Sequence, residues 1–390
     1  MTNYDKLLEE VRLLGMDQKW AKMFVKKLSD DEKAFPMTDD EKKWAMTKGF
    51  YPGRIKLYGL TDENCGAYLP DYQYFMLHPL NHHFKIWVND KLSLKYVLNS
   101  NGCEDTMPEY YLYVENDGTY TYLMDAPADI AKDKDFILNL LRRKGCLAMK
   151  PNSGTSGGLG FIKLELRDGK YYENNKPIDH GRYTEIIGGM RNYIITEYVR
   201  QHESLARIWG KSECTLRVIM IKCPKADPCA VSEWRCTVSY ARFGSSISGG
   251  ASNLSSGGIG IGFDFETGRF NDFAIRYKKF CPDGNTVLRA HPDTGVVWKG
   301  EGLPNWDFVK SKIQAICDHV SSLSYLGFDV IISEDGMKLC EINTHPACDY
   351  EQVMCGPILA KPYANEYFQS KGITSYSGSD FYDAYMKCQE

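Results

Sequence analysis

The stretch GFDVIISEDGMKLCEIN, Gly327 to Asn343, reads as a β-hairpin. Two apolar runs flank Glu334-Asp335-Gly336, and a three-residue loop ending in glycine suits a type I turn closed by a positive φ. Such a loop sets Ser333 opposite Met337 and, counting back in twos, Asp329 opposite Glu341, with Asn343 on the same face. The alternate face carries Phe328, Val330, Ile332, Cys340 and Ile342 into a core. Two carboxylates facing each other across a ladder repel unless a cation lies between them. Carboxylate and amide oxygens are hard donors of the kind Mg²⁺ takes, usually with phosphate oxygens completing the shell. The same pattern also suits an acidic hairpin that simply faces water, so the remainder of the chain has to choose.

The chain has 390 residues, 43% apolar and 25% charged, long enough for two or three subdomains around substantial cores. A net charge of −4 gives no reason to expect nucleic acid as a partner. No apolar run approaches the roughly 20 residues that cross a bilayer, so membrane insertion is not expected. The opening MTNYDKLLEEVRLLG lacks the apolar core of a signal peptide. Thirteen scattered cysteines without a CxxC pair read as reduced thiols, and the expected location is cytoplasmic. Cys223, Cys229 and Cys236 lack the close spacing of a zinc site.

Upstream of the hairpin, Asn305 to Leu323 is an amphipathic helix with Trp306, Val309, Ile313, Ile316 and Val320 in phase. Strands are expected in TLRVIMIK, WRCTVSYARFG and GIGIGFDF. Residues 108–199 read as a separate α+β unit: strand YYLYV, a helix from about Asp133 stopped by Gly145, strand CLAMK, and strand YIITEYV from Tyr193 to Val199. Residues 1–50 read as helices, with Leu7, Leu8, Val11 and Leu14 at helical spacing and a capping box at Thr38 and Glu41. Residues 51–107 are aromatic and loop-rich. Within them Ile86-Trp87-Val88 suggests a short strand, and Asn89 or Asp90 caps a helix in which Lys91 occupies the first turn. The remainder, 200–390, holds the hairpin.

Lys150-Pro-Asn-Ser-Gly-Thr-Ser-Gly-Gly-Leu-Gly160 is the second informative stretch. Gly154, Gly157, Gly158 and Gly160 allow close approach of the backbone to a ligand, and Ser153, Thr155 and Ser156 add hydroxyl donors. Backbone N–H groups in such a loop can cradle phosphates. It lacks the Gly-Lys-Ser/Thr of a Walker A loop, and a strand follows it where the dinucleotide fingerprint needs a helix. A mobile flap preceded by a fixed lysine is the expectation.

In order and spacing, these stretches resemble the ATP-grasp family, in particular its sugar-transfer-associated branch found in bacterial polysaccharide clusters. Asn89-Asp90-Lys91 is similar to the family's segment before the central subdomain. Lys150 and the loop to Gly160 match its flap, and Glu197-Tyr198-Val199 its hinge at the adenine edge. Thr215-Leu216-Arg217 resembles a branch signature, as does the Asn-x-x-x-Gly-Gly turn within Ser252 to Gly268. Asp329 with Glu341-x-Asn343 resembles the metal motif. The resemblance runs from about residue 45 to 360.

The resemblance implies an α+β ATP-grasp fold, with two α+β subdomains clasping a nucleotide and an N-terminal helical extension. It implies ATP as cofactor with one or two Mg²⁺ ions, for which Mn²⁺ substitutes. Lys91, Lys150, Ser153, Gly154, Ser156, Gly157 and Gly158 are then the phosphate contacts. Glu197, Tyr198 and Val199 meet the base, Glu203 is the candidate for the ribose hydroxyls, and Asp329, Glu341 and Asn343 hold the metal. Arg217 and Lys150 are the expected catalytic residues, Arg217 stabilising a phosphate or carboxylate bidentately. The implied reaction is carboxylate–amine ligation through an acyl phosphate, on small substrates, sugar-linked ones among them, in polysaccharide or cell-surface glycan modification. A phosphotransferase and a non-catalytic nucleotide-binding module are the competing readings. His345, Asp349 and Glu351, just past the metal motif, are candidates to face the acceptor, with a packed structural role an equal reading for His345, and the apolar faces of the N-terminal helices suit a homodimer.

Overall fold

Helix signals near the N-terminus materialise where the sequence places them: α1 (Asn3–Leu13), α2 (Gln18–Ala34) and α3 (Asp39–Thr47), the last opened by a capping box between Thr38 and Glu41. The computed structural model describes residues 2–152, 159–225, 227, 229–231, 233–249, 251–281, 284–373 and 376–389. Four short helices follow: α4 (Arg54–Tyr58), α5 (Asp71–Met76), α6 (Ile86–Asn89) and α7 (Lys91–Val97). The expected strand at Ile86-Trp87-Val88 is therefore helical. These β-formers lie beside β14, the edge strand of the second sheet, yet wind into a helical turn, so tertiary context overrides local preference. Val88 alone of the three is buried. Asp90 caps α7 by accepting from the Ser93 N–H.

Seven strands form the first sheet: β1 (Tyr110–Val114), β2 (Tyr120–Tyr122), β3 (Cys146–Pro151), β4 (Ile162–Arg167), β5 (Lys170–Glu173), β6 (Lys176–Ile178) and β7 (Tyr193–Glu197), in the antiparallel order β2-β1-β7-β3-β4-β5-β6. Helices α8 (Phe136–Lys144) and α9 (His180–Gly189) cover it through Phe136, Ile137, Leu140, Tyr183 and Ile186. Gly145 ends α8 at φ +73°, a conformation that favours glycine.

A linking helix, α10 (Glu203–Ala206), leads to the second sheet. Its strands are β8 (Thr215–Lys222), β9 (Trp234–Phe243), β10 (Ile259–Phe263), β11 (Phe270–Ile275), β12 (Val287–Leu288), β13 (Tyr325–Ser333) and β14 (Gly336–Asn343), ordered β12-β11-β10-β9-β8-β13-β14. One face, with Leu216, Val218, Phe328, Val330 and Ile342, packs on α11 (Trp306–His319). The other face, with Ile219, Ile221, Tyr240 and Tyr325, lies under α1, α2 and α5 together with α12 (Tyr350–Cys355), α13 (Pro362–Ser370) and α14 (Ser379–Lys387). The N-terminal helices are thus a covering layer on the face that carries Arg217 and Asp329. Among the described residues, no helix is long and apolar enough to cross a membrane.

The opening hairpin pairs Asp329 with Glu341 as expected, by a different route. The turn is tighter than read: Ser333 pairs with Gly336, and Ile332 with Met337. An irregularity in the ladder next to Asp329 then leaves Cys340 without an opposite residue and restores the expected register. Consequently Leu339, and not Cys340, enters the core, while Cys340 is only half-buried.

Candidate functional site

Three stretches that the sequence singles out meet at the end of the hairpin. Helix α7 brings Lys91 to 3.8 Å from Glu341 Oε2. Asn89 Oδ1 accepts a hydrogen bond from the Thr344 hydroxyl at 3.0 Å, tying the start of that helix to the end of β14. Asn152, one residue past β3, donates through Nδ2 to Asp90 at 2.7 Å and accepts from the Leu92 N–H at 3.1 Å. That two-way clamp fixes the strand carrying Lys150 to the helix carrying Lys91. The role of Asn152 is missing from the sequence reading, although its place between a lysine and a glycine-rich loop was the available signal.

Lys150 lies in this junction with its amine 5.6 Å from the centre of the Tyr110 ring. Burial first, and then the neighbouring Lys91, hold its pKa below the usual lysine value. An anion bound between the two lysines offsets their repulsion and compensates the buried charge. Glu341 shows the opposite strain: burial and the adjacent Asp329 carboxylate push its carboxyl up, partly countered by Lys91. Asn343 donates from Nδ2 to Glu341 Oε1 at 3.1 Å, leaving its own amide oxygen turned away from that bond.

Asp329 is held differently from expectation. Arg217 binds it in a fork, Nε to Oδ1 at 2.5 Å and Nη2 to Oδ2 at 2.9 Å, and Arg242 Nη2 lies 3.0 Å from Oδ1. Burial alone would raise the Asp329 carboxyl, but the two guanidiniums outweigh it and hold its pKa well below the usual range. Arg217 therefore presents its fork to a carboxylate on the neighbouring strand and not outward to a substrate. Arg242 is a second residue that sequence reasoning missed. It sits two residues from Tyr240 on β9, opposite Thr215, and so shares the Arg217 face. Its Nε donates to the Thr215 hydroxyl at 2.9 Å.

Among the described residues, no group of three or more His, Cys, Asp and Glu side chains is gathered closely enough to hold a metal. The expected trio contains two carboxylates and an amide, and its donors are oxygen only, which suits a hard divalent cation. Glu341 and Asn343 are the accessible members. Asp329 accepts from its arginines and lies against the Glu341 carboxyl, so it is the most constrained donor of a set whose oxygens suit Mg²⁺.

Glu197, Tyr198 and Val199, expected at the hinge, lie at and just past the end of β7. Glu197 continues the ladder, donating its N–H to Glu109 O at 2.8 Å, while its carboxylate accepts from the Glu109 N–H at 3.1 Å. Tyr198 donates its hydroxyl to Glu213 at 2.9 Å, and Val199 is buried. Glu203 opens α10, its N–H bonded to Glu334 at the hairpin tip and its side chain exposed. The flap residues Ser153, Gly154, Thr155, Ser156, Gly157 and Gly158 lie outside the described residues.

The residues expected at the acceptor are redirected. Asp349 is 3.1 Å from Lys27 and 3.7 Å from Arg54, and its carbonyl accepts from the Tyr58 hydroxyl. Glu351 is buried and accepts from the Tyr240 hydroxyl at 3.1 Å. Both are committed to the buried interior, Asp349 by cations and a hydroxyl of the N-terminal layer and Glu351 by a hydroxyl of the sheet. His345 packs edge-on against Trp20 at 4.9 Å, and Tyr74 donates to the Pro346 carbonyl. The segment Thr344 to Asp349 is thereby gripped by side chains drawn from the first ninety residues.

Over residues 76–365 the chain matches the family described as sugar-transfer associated ATP-grasp. Three solved structures similar to it are D-alanyl-alanine synthetase A from Vibrio cholerae O1 biovar eltor, an ADP complex of N5-carboxyaminoimidazole ribonucleotide synthetase, and the ATP-grasp ligase PsnB complexed with minimal precursor. The first has a TM-score of 0.40 at 10% identity, covering 78% of this chain and 67% of its own. The second has 0.39 at 9%, covering 72% and 52%, and the third 0.36 at 12%, covering 74% and 62%. The chain thus spans between about half and two thirds of their lengths. No curated protein matches it.

Proposed function

The chain belongs to the sugar-transfer associated ATP-grasp family, and from that premise we propose that it is an ATP- and Mg²⁺-dependent ligase that activates a carboxylate as an acyl phosphate for attack by an amine. The observation that carries this reading is the meeting of Lys91, Lys150 and Glu341, drawn from a helix and two different sheets, with Asn152 locking the two lysine-bearing elements together. Two lysines under partial burial supply the fixed positive charge that a triphosphate requires.

In this reading the nucleotide lies between the 108–199 unit and the 200–390 unit, with its base against Glu197, Tyr198 and Val199 and its ribose near Glu203. Lys91 and Lys150 orient the phosphates, and the glycine-rich segment from Ser153 to Gly158 closes over them and excludes water. Glu341, Asn343 and Asp329 hold Mg²⁺, which neutralises charge on the phosphoryl group in transfer. Arg217 and Arg242 keep Asp329 ionised and in place, so Arg217 acts through Asp329 as a positioning residue. The substrates are a small carboxylate and an amine, and cell-surface glycan modification is the proposed setting.

The test is ATP turnover measured against panels of carboxylic acids, sugar acids, amino acids and amino sugars, with all products identified. The ligase reading expects ADP, phosphate and an amide in equal amounts. A phosphorylated product without an amide makes the chain a phosphotransferase, and AMP in place of ADP replaces the acyl-phosphate chemistry with adenylation or pyrophosphoryl transfer.

A further inference from the structure

A second concave site lies away from the lysine–glutamate junction, where β8 ends and β13 begins. It is a cavity of about 880 Å³ with two unlike walls. Leu80, Phe84 and Leu323 make one of them apolar, and Lys222, Lys225 and Lys371 make the other cationic. Lys222 is five residues along β8 from Arg217. At the rise of an extended strand that separation is about 16 Å, so the cavity is distinct from the proposed nucleotide site.

The three ammonium groups reach the cavity from three different segments: the end of β8, the loop after it, and the end of α13. Lys222 donates to the Ser321 carbonyl and Lys225 to the Ala230 carbonyl, while Lys371 stands 5.3 Å from the centre of the Tyr367 ring. Each therefore has a neutral partner, and among the described residues none forms an ion pair with a carboxylate. Burial, followed by repulsion from another lysine of the group, holds both Lys222 and Lys371 below the ordinary lysine pKa. An arrangement that gathers like charges at the mouth of a pocket is unfavourable by itself and becomes favourable when a polyanion enters.

We propose that this cavity binds a phosphate-bearing molecule with an apolar portion, the phosphate seated among Lys222, Lys225 and Lys371 and the apolar portion against Leu80, Phe84 and Leu323. A dianionic phosphate offsets three clustered cations better than a single carboxylate does, and lysine is a point-charge donor suited to phosphate oxygens. The wall opposite gives a reason for an apolar substituent next to that phosphate. The inference does not rest on the ligase reading, since no residue of the nucleotide site takes part.

The experiment is calorimetric titration of the full chain with inorganic phosphate and with octyl phosphate, at low ionic strength. Octyl phosphate is expected to bind at least tenfold more tightly than phosphate. The Lys222→Gln/Lys371→Gln protein is expected to lose at least tenfold in octyl phosphate affinity, and the exposed single variant Lys225→Gln, which leaves packing untouched, to lose severalfold. The Lys150→Ala protein is expected to keep its octyl phosphate affinity. Equal binding of the two probes removes the apolar wall from the proposal. Undiminished binding in both glutamine variants, loss confined to Lys150→Ala, or no binding by the native chain at millimolar concentration overturns it.

Discussion

Arg217 and Asp329 stand directly opposite each other on β8 and β13 and are joined by two hydrogen bonds, at 2.5 and 2.9 Å. Asp329 is buried, and Arg242 approaches the same carboxylate from the next strand. One acid thus compensates two guanidiniums on the face of the sheet that carries the proposed metal site.

Asp329→Asn is therefore expected to damage the fold as well as turnover. Removing the carboxylate leaves two buried cations uncompensated, a loss on the order of 3–5 kcal/mol. Glu341→Gln is expected to leave the midpoint of denaturant unfolding nearly unchanged while lowering Mg²⁺-dependent turnover at least about a hundredfold, an effect of roughly 3 kcal/mol on the barrier. Equilibrium unfolding and initial rates on the two variants check both statements, and near-normal turnover in Glu341→Gln rejects the metal assignment.

Lys150→Ala is expected to weaken ATP affinity about tenfold or more, or about 1.4 kcal/mol. The folded chain should be no less stable, because the substitution removes a desolvated amine repelled by Lys91. Calorimetric titration with a non-hydrolysable ATP analogue, beside a thermal melt, separates the two effects. Unchanged nucleotide affinity counts against the lysine's role.

Arg54→Met is expected to unfold the N-terminal layer from the sheet face that carries Arg217 and Asp329. Arg54 is buried and lies 2.9 Å from Asp71, 3.4 Å from Asp31 and 3.7 Å from Asp349. Without it three acids share a site with Lys27 alone, and a loss of about 3–5 kcal/mol follows. Limited proteolysis should then cut between α1 and α5 in the variant and not in the native chain.

Stability should fall on acidification through the two histidines that flank Trp20. Burial holds both His78 and His345 at about 4, against an ordinary 6.5. The unfolded chain binds their protons first as the pH drops, so the stabilisation is complete above pH 6.5 and is lost as pH falls toward 4. Between pH 6.5 and 5 each histidine accounts for about 2 kcal/mol. Asp31 and Glu351, raised by burial to about 6 and about 7, act in the opposite direction. The measurement is therefore the difference in unfolding free energy between the native chain and His345→Gln across this range, in which those acids cancel. A difference that does not change with pH refutes the assignment.

The pairing of Asp329 with Glu341 was readable because side chains alternate with a period of two, and the same rule placed Asn343 beside them. The shape of the turn was not readable. A tighter turn with an irregularity at Cys340 gives the same outer register as a three-residue loop, but it sends Met337 and Leu339 into the core in place of Lys338 and Cys340. Helices α1 to α3 were evident from their periodicity and capping residues, whereas Ile86 to Val88 misled because strand propensity is a weak guide over so short a run.

Local periodicity and motif order in the sequence were enough for the family, the pairing of Asp329 with Glu341 and the helical start of the chain. Only the tertiary structure decided what those residues face. Arg217 meets Asp329 across 112 positions and Lys27 meets Asp349 across 322. Such partners are chosen by how sheets and layers stack and by the need of every buried charge to be compensated, and neither condition leaves a periodic trace in one dimension.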